Sequence, residues 1–230
     1  MHKIKIPSKT SLDLAYLCGV LAGDGSINVR EEKHDYEIKC VGNPENEQNF
    51  YYNIICPLFK DLFGLPLQPS YFDNNTTFGI RLWSKQLVQY LVEEIGLPQG
   101  KKYDKLKIPP LFYKNKELTR SFIAGVIDTD FCLSVGKRNY PRLRGVSKSE
   151  SFINEIRQFL ISDGFFVAKH KRAYYDPRVK KVVTTYEICL SGREQFELWL
   201  EKIGTRHIRY FEKIKKVEGL KAPPYSEGRI

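Results

Sequence analysis

The same short apolar segment with internal glycines occurs twice in this chain, and each copy reaches an aspartate. Residues 17–25 read LCGVLAGDG and residues 123–131 read IAGVIDTDF. The two aspartates, Asp24 and Asp130, lie 106 positions apart in a chain of 230 residues. A repeat at about half the chain length predicts a fold built from two similar halves.

The segments that follow the two aspartates also repeat. Alternating apolar and polar residues predict paired strands, and capped amphipathic stretches predict helices, in the same order after each copy. We therefore expect an α+β fold with two αββαββα pseudo-repeats. The first covers residues 1–96 and the second covers 117–230, with a linker rich in Pro and Lys at 97–116.

Small residues spaced by four form a row on each repeated helix. The rows are Ala15, Gly19 and Gly23 in the first copy and Ser121, Gly125 and Thr129 in the second. Residues four apart share a helix face, and small side chains let two backbones approach closely. Because glycine inside a helix costs about 1 kcal/mol relative to alanine, we expect the two rows to pack against each other.

Parallel packing of the two helices would place Asp24 and Asp130 side by side. Adjacent carboxylates at the negative ends of two helix dipoles repel each other, so the arrangement needs bridging cations. A few oxygen ligands open to water suit Mg²⁺, and acids that share metal ions across a phosphate are typical of phosphodiester hydrolysis. The alternative is that the two acids cap helices that lie far apart.

The charge balance favours a polyanionic partner, with nucleic acid ahead of a membrane surface. Residues 116–230 contribute +9 to the net charge of +10. No apolar run approaches the ~18 residues that a membrane span needs, and the N-terminus lacks the apolar core of a secretory signal. Five scattered cysteines predict an intracellular protein with reduced thiols.

The two repeated segments resemble the motif of the LAGLIDADG homing endonucleases in their single-chain, two-motif form. The run IPPLFYKNKELTRSFIAGVIDTD, at residues 108–130, also resembles the approach to that family's second motif. The resemblance implies a monomeric, intron-encoded enzyme that cuts both strands of double-stranded DNA at a long, asymmetric site. The alternative is a nucleic-acid-binding maturase or regulator on the same scaffold without cleavage, but both aspartates are present, which favours the enzyme.

The resemblance further implies a set of metal ligands. The family's metal-binding acid stands at motif position eight, which is Asp24 in the first copy and Asp130 in the second. The family also uses the preceding backbone carbonyl, which belongs here to Gly23 and to Thr129. The implied metal is Mg²⁺, with Mn²⁺ as a substitute.

Two motif positions differ between the copies. Position six is Ala22 in the first copy and Asp128 in the second, and we interpret Asp128 as structural. Position nine is Gly25 in the first copy and Phe131 in the second. Because phenylalanine does not easily take a positive φ, we expect the exit into the following strand to differ between the halves.

The resemblance also implies that each half lays a four-stranded antiparallel sheet along the major groove of DNA. The alternation of apolar and polar residues agrees, since one face would pack on the helices and the other would point outward. Outward Arg, Asn, Glu and Lys side chains can read base edges or contact phosphates. The predicted DNA-binding residues are Ser26, Asn28, Arg30, Lys39, Arg81, Ser134, Arg138, Arg142, Arg144, Lys169, Lys171, Thr185 and Glu187.

Hydrolysis also needs a basic group near the scissile phosphate and a polar group that orients water. In the family, such residues stand where strands enter the following helices. Aligning the strand ends of the two halves pairs Asn43 with Lys148 and Arg81 with Cys189. We therefore expect Arg81 and Lys148 to supply positive charge and Asn43 to order water. In the alternative, Lys148 is a surface residue at a helix start and Arg81 only reads a base.

Overall fold

Two consecutive copies of one αββαββα arrangement make up the chain in the computed structural model, which describes residues 4–102, 105–177 and 180–217. The elements of the first copy are α1 (Leu12–Gly23), β1 (Gly25–Arg30), β2 (Asp35–Gly42), α2 (Gln48–Phe50), α3 (Cys56–Phe63), β3 (Ser70–Phe72), β4 (Thr77–Trp83) and α4 (Lys85–Gln89). Helix α2 runs through a π-helical turn, Tyr51–Ile55, into α3, and α4 continues as a second such turn, Tyr90–Ile95.

The second copy follows a short connecting helix, α5 (Pro110–Tyr113). After the second copy come a 3₁₀ turn, Ile208–Tyr210, and α9 (Phe211–Lys216), the last helix of the described residues. The elements of the second copy are α6 (Lys116–Asp130), β5 (Phe131–Val135), β6 (Pro141–Ser147), α7 (Glu150–Ser162), β7 (Ala168–Asp176), β8 (Lys181–Ser191) and α8 (Arg193–Lys202). The predicted fold class is confirmed.

Each copy forms one four-stranded antiparallel sheet, in the order β1-β2-β4-β3 and β5-β6-β8-β7. Directly opposed residues of neighbouring strands share a face. Ile27 opposes Ile38, and both are buried against the helices. Leu133 opposes Leu143 in the same way in the second sheet. The other face of each sheet points outward and bears the polar half of the alternation.

The two repeated helices begin at side-chain caps. The Ser11 hydroxyl accepts the backbone N–H of Leu14 at 3.1 Å at the start of α1. The Asn115 side chain accepts that of Glu117 at 2.9 Å at the start of α6. Each cap satisfies a backbone donor that the first helical turn leaves free. Within the described ranges, no helix has the length and apolar character that crossing a membrane requires.

Helices α1 and α6 pack backbone to backbone along their small-residue rows. A Cβ on Gly19 would overlap the carbonyl oxygen of Phe122 and lie 3.1 Å from the Cα of Gly125. At the N-terminal end, the Ser121 hydroxyl donates to the carbonyl of Leu12 at 2.7 Å. The N-terminal parts of the two helices contact each other, and so do their middles. The two helices therefore run in the same direction, which is the parallel packing expected from the two rows of small residues.

Candidate active site

Asp24 and Asp130 meet at the paired C-terminal ends of α1 and α6. Asp24 caps α1, and its backbone N–H donates to the carbonyl of Val20 at 3.0 Å. Asp130 is the last residue of α6, and its Oδ2 lies 3.3 Å from the position that a Cβ on Gly23 would take. The two acids therefore share one site, and the alternative of distant helix caps is excluded.

The pKa values of both acids are raised. Burial raises the pKa of Asp24 to about 7, and the negative charges of Asp130 and Glu47 add to the effect. Burial likewise raises the pKa of Asp130. The positive charges of Lys102 and Arg209 act in the opposite direction on both acids. Because burial and repulsion penalise the negative charge here, a bound cation would be stabilising.

Lys102, from the segment between the two halves, binds three carbonyls at the end of α1. Its Nζ donates to the carbonyl oxygens of Ala22 at 2.8 Å and Gly25 at 2.9 Å, and also to that of Gly23. Burial lowers the pKa of this lysine, and the two nearby aspartates counteract the effect. The positive charge of Lys102 therefore lies beside the carbonyls of motif positions six, seven and nine.

Arg209, in the 3₁₀ turn that follows α8, makes the equivalent contacts at the end of α6. Its Nη2 donates to the carbonyls of Thr129 at 3.1 Å and Phe131 at 3.3 Å, and also to that of Asp128. These are again motif positions six, seven and nine. A pseudo-two-fold pair of cations thus holds the two helix ends, where the backbone dipoles concentrate negative charge.

Neither cation was predicted from the sequence, although the sequence contains a weak signal for both. Lys102 lies six positions after Gly96, and Arg209 lies five positions after Gly204. These glycines end the closing helices of the two halves. An alignment of the halves that extended beyond those helices would have paired the lysine with the arginine.

The oxygen atoms at this site fit a hard divalent cation. The carboxylates of Asp24 and Asp130 and the carbonyls of Gly23 and Thr129 are all oxygen donors of the kind that Mg²⁺ prefers. Both carbonyls already accept hydrogen bonds from cationic side chains. The described part of the chain holds no group of three or more His, Cys, Asp or Glu able to hold a metal. Two carboxylates and two carbonyls do not fill the octahedral shell that Mg²⁺ prefers, so a metal ion here would keep open positions for water or substrate oxygen.

Glu47 adds a buried negative charge beside the acids. Its Oε1 lies 2.7 Å from Nη1 of Arg209, and its Oε2 accepts the backbone N–H of Asn43 at 2.7 Å. Burial acts to raise the pKa of Glu47, but the adjacent His207 ring, the hydrogen bond from the Asn43 backbone and the charge of Arg209 outweigh it and lower that pKa. Nε2 of His207 lies 3.6 Å from Oε1 of Glu47. The His207 ring stacks on Phe50 at 4.2 Å. This cluster links the first half to Arg209 of the second.

The three predicted strand-end residues have other surroundings. The Asn43 side-chain oxygen accepts the backbone N–H groups of Glu45 at 2.8 Å and Asn46 at 3.2 Å, so it caps the turn after β2. Lys148 is exposed in the turn between β6 and α7. Arg81 forms an ion pair on the outward sheet face, described below. The largest charge effects on the pKa of Asp24 come from Asp130, Glu47, Arg209 and Lys102, and those on the pKa of Asp130 come from Lys102 and Arg209.

Most predicted DNA-binding residues lie on the outward faces of the two sheets. The register places Ser26, Asn28, Arg30, Lys39 and Arg81 on this face of the first sheet and Ser134, Arg142, Arg144, Thr185 and Glu187 on that of the second. Thr185 and Glu187 are largely covered by neighbouring side chains. Arg138 lies in the turn between β5 and β6 with a left-handed φ of 57°.

Lys169 and Lys171 do not lie on the outward face, contrary to the expectation from sequence. Lys169 opposes Ile188, a core residue, and its Nζ lies 2.8 Å from both Glu150 and Asn154 of α7. Lys171 shares this face because it stands two positions further along β7. Strand β7 offers little contrast between apolar and polar residues, so its sequence does not fix which face is inward. The outward positions belong instead to His170 and Arg172.

Asp128 is buried and joins α6 to α1 and to the C-terminal segment. It accepts hydrogen bonds from the Tyr16 hydroxyl at 2.6 Å, the Thr205 hydroxyl and the backbone N–H of Arg206 at 2.8 Å. Each bond satisfies an oxygen that burial would otherwise penalise. The structural role predicted for Asp128 agrees with this geometry.

The exit into the strand differs between the halves, though not through a positive φ. Asp24 caps α1 in a helical conformation, whereas α6 includes Asp130 and is capped by Phe131 in an extended conformation, at φ −101°. Gly25 has no positive φ either. Gly145, opposite Phe131 in the sheet, accommodates the ring, because a Cβ at Gly145 would overlap it.

Comparison with solved structures identifies the fold class. The homing endonuclease I-DmoI in complex with DNA and Mn covers 86% of this chain and 98% of its own, with a TM-score of 0.57 and 18% identity. The I-DmoI complex with DNA and Ca covers 85% and 92% at a TM-score of 0.56 and 18% identity. Mesophilic variants of I-DmoI cover 84% and 88% at 0.55 and 18%.

No family model and no curated protein matches the sequence. The structural matches show that the chain has the fold of a homing endonuclease. The fold that the LAGLIDADG resemblance implies is thus confirmed.

Proposed function

We propose that this protein is a site-specific endonuclease that cuts both strands of double-stranded DNA with a divalent metal ion. The observation that supports this most directly is the pair of neighbouring aspartates, Asp24 and Asp130, at the ends of two closely packed helices. The likeness of the fold to I-DmoI, which was solved with DNA together with Mn or Ca, adds support.

The metal would be held by the carboxylates of Asp24 and Asp130 and by the carbonyls of Gly23 and Thr129. Mg²⁺ is the natural candidate for such oxygen donors, and Mn²⁺ would substitute. When bound, such an ion polarises a phosphoryl oxygen and lowers the pKa of a coordinated water.

The chain's own cations would stabilise the phosphate. Lys102 and Arg209 lie beside the two acids, one at the end of each motif helix, and their positive charges act on both carboxylates. A positive group fixed in such a place stabilises charge that develops on a phosphate in the transition state. Glu47 keeps Arg209 oriented through its 2.7 Å ion pair. Lys148 and Asn43, just beyond the equivalent strands β6 and β2, remain further candidates, together with Arg81.

The two outward sheet faces would bind the DNA as a monomer. The two halves already supply a pseudo-two-fold pair of sheets within one chain, so no second copy is needed to reach two half-sites. Because the residues on the two faces differ, the target would be asymmetric. The net charge of +10 favours a nucleic-acid partner inside the cell.

The test is a selection of cleaved duplexes from a randomised or genomic DNA library with Mg²⁺. We expect one long, asymmetric site to be enriched as double-strand cuts. Asp24→Asn and Asp130→Asn should abolish or strongly reduce cutting while binding to the selected duplex is retained. Cutting at the wild-type rate by either variant would show that the metal site is wrongly assigned.

The maturase or regulator alternative makes a different prediction in the same experiment. In that case the wild-type protein would bind nucleic acid tightly but leave it intact with Mg²⁺ and with Mn²⁺. Cutting that depends on both aspartates would exclude this alternative.

A further inference from the structure

A buried glutamate, Glu37, lies on the outward face of the first sheet, where the metal site does not use it. Glu37 of β2 opposes Asn28 of β1 on one side and Trp83 of β4 on the other. One rung away on the same face, Lys39 opposes Arg81. Glu37 is only 6% exposed, although this face is otherwise open. A carboxylate that is buried on a polar face requires partners.

Both oxygens of Glu37 are engaged by neighbouring side chains. Its Oε2 accepts the Nε–H of Arg81 at 2.6 Å and also pairs with Nη2 of the same arginine. Its Oε1 accepts the side-chain amide of Asn28 at 3.2 Å. The Trp83 ring lies 4.9 Å from Cζ of Arg81. The guanidinium group is thus held at its edge by the carboxylate and on its flat face by the indole.

This arrangement leaves the end of the guanidinium group available. Arginine has five N–H donors in a planar fork, and pairing at the Nε edge leaves those at the Nη1 end. Nη1 forms no hydrogen bond in the described part of the chain. One N–H of Nη1 and the outer N–H of Nη2 point in the same direction at that end of the group. This pair of donors matches O6 and N7 of guanine in the major groove, the commonest base-specific contact of arginine. A fixed guanidinium plane also loses less conformational freedom on binding.

Burial separates this pair from an ordinary surface ion pair. The Glu37 side chain is 8% exposed and that of Arg81 is 39% exposed. The nearby pair of Arg30 and Asp35 is more open, with Arg30 at 54%. An open pair readily exchanges its partner for water or phosphate. The carboxylate of Glu37 is held on the protein side, whereas Arg81 reaches toward solvent.

The second half has no such pair at the equivalent positions. Counting from the motif aspartates along the sheet register, Arg142 corresponds to Glu37 and Cys189 corresponds to Arg81. Ser191 opposes Arg142, in the place that Trp83 takes in the first half. The second half instead pairs its buried Glu187 with Arg172 of β7, at 3.2 Å. The pair of Glu37 and Arg81 is therefore specific to the first half, so a base preference that this pair produces would affect one half-site only.

We propose that Glu37 is a positioning residue that presents Arg81 to a guanine in the major groove of the half-site bound by the first half. The proposal rests on the endonuclease function proposed above. It assigns Arg81 to base recognition in place of the phosphate-stabilising role for which Arg81 is a candidate above, and it assigns to Glu37 a role in specificity that acts only through Arg81.

The experiment compares base preferences on a randomised duplex library, using the wild-type protein, Glu37→Gln, Arg81→Met and Arg81→Lys. The wild-type selection should contain a guanine position whose preference falls about tenfold or more in all three variants. Arg81→Lys keeps the charge and should retain most of the overall affinity. Glu117→Gln removes the same charge from an exposed ion pair with Arg120 on α6 and should leave every position unchanged.

A second measurement addresses the acceptor on the base. Replacing that guanine by 7-deazaguanine in the selected duplex removes N7, and it should weaken wild-type binding without weakening that of Arg81→Met. Thermal unfolding of each variant shows whether it is folded. If Glu37→Gln is unfolded, Arg81→Lys still tests the claim that Arg81 reads the guanine, on which the role of Glu37 depends, because this variant loses the planar fork.

The outcomes are distinguishable. If Arg81→Lys and Arg81→Met keep the wild-type base preferences and only bind all duplexes more weakly, Arg81 contacts phosphate and the proposal is overturned. It is also overturned if folded Glu37→Gln keeps the guanine preference. If the wild-type protein enriches no sequence at all, the endonuclease function itself fails.

Discussion

Gly19 of α1 and Gly125 of α6 meet where the two motif helices cross, with no side chain between the backbones. A Cβ on Gly19 would lie 3.1 Å from the Cα of Gly125, and a Cβ on Gly125 would lie 2.7 Å from the backbone nitrogen of Val20. Asp24 and Asp130 each follow their glycine by five positions. The glycine contact therefore sets how closely the two acids approach.

Adding a methyl group at this crossing should destabilise the protein. Gly125→Ala should lower the free energy of unfolding by about 1–3 kcal/mol or more, because neither backbone can move aside without shifting its helix. Urea denaturation measures the change. Gly136→Ala is the matched control, since its Cβ would have only an ordinary 3.5 Å contact with the carbonyl of Tyr140. Equal stabilities of the two variants would contradict the tight crossing.

The raised pKa of Asp24 predicts that the protein without metal loses stability as the pH rises. Its pKa is about 7 when folded and near 3.8 when unfolded. Between these values the folded state holds a proton that the unfolded state has released, so the free energy of unfolding falls with increasing pH. At about 1.4 kcal/mol per pKa unit, the loss between pH 5 and 8 should be roughly 2–3 kcal/mol.

Denaturation in EDTA at pH 5 and pH 8 measures this loss. Asp24→Asn should show a smaller loss, whereas Asp61→Asn, which changes an exposed acid of α3, should behave as the wild type does. Adding Mg²⁺ at pH 8 should restore stability to the wild type and not to Asp24→Asn. A wild-type stability that rises from pH 5 to pH 8 would be inconsistent with this account.

Lys102→Met should slow the chemical step of cleavage. The variant removes the charge beside the two acids, and we expect a decrease of about 10²-fold in single-turnover cleavage at saturating DNA. Three carbonyls also lose their donor, so some loss of stability should accompany it. Lys101→Met removes an exposed charge from the neighbouring position and should cleave normally. A wild-type rate in a folded Lys102→Met would remove this lysine from the mechanism.

DNA binding should weaken steeply with salt. Lys and Arg contacts to phosphates release counterions, so the affinity should fall by at least about 10²-fold between roughly 50 and 200 mM salt. Fluorescence anisotropy with a labelled duplex measures the dependence at several salt concentrations. Arg142→Gln, on the more basic half, should reduce the slope. An affinity that stays constant over this range would argue against phosphate contacts.

Much of the fold follows from local pattern in the sequence. The two glycine rows predict the crossing of α1 and α6, and through it the meeting of Asp24 and Asp130. The strand alternation and the helix caps predict the order of elements in each half. These features are recognisable because each depends on residues a few positions apart, within one helix face or one strand.

The remaining features depend on which distant segments come together. Lys102 and Arg209 reach the acids only because the chain returns to the helix ends after each closing helix. Lys169 faces inward because of the register between β7 and β8, which a strand with little contrast between apolar and polar residues does not specify. Glu37 and Arg81, which pair across two neighbouring strands, lie 44 positions apart in the sequence. The sequence by itself determined the two-helix scaffold and its pair of acids, whereas the tertiary structure decided which cations surround them, because that depends on long-range packing.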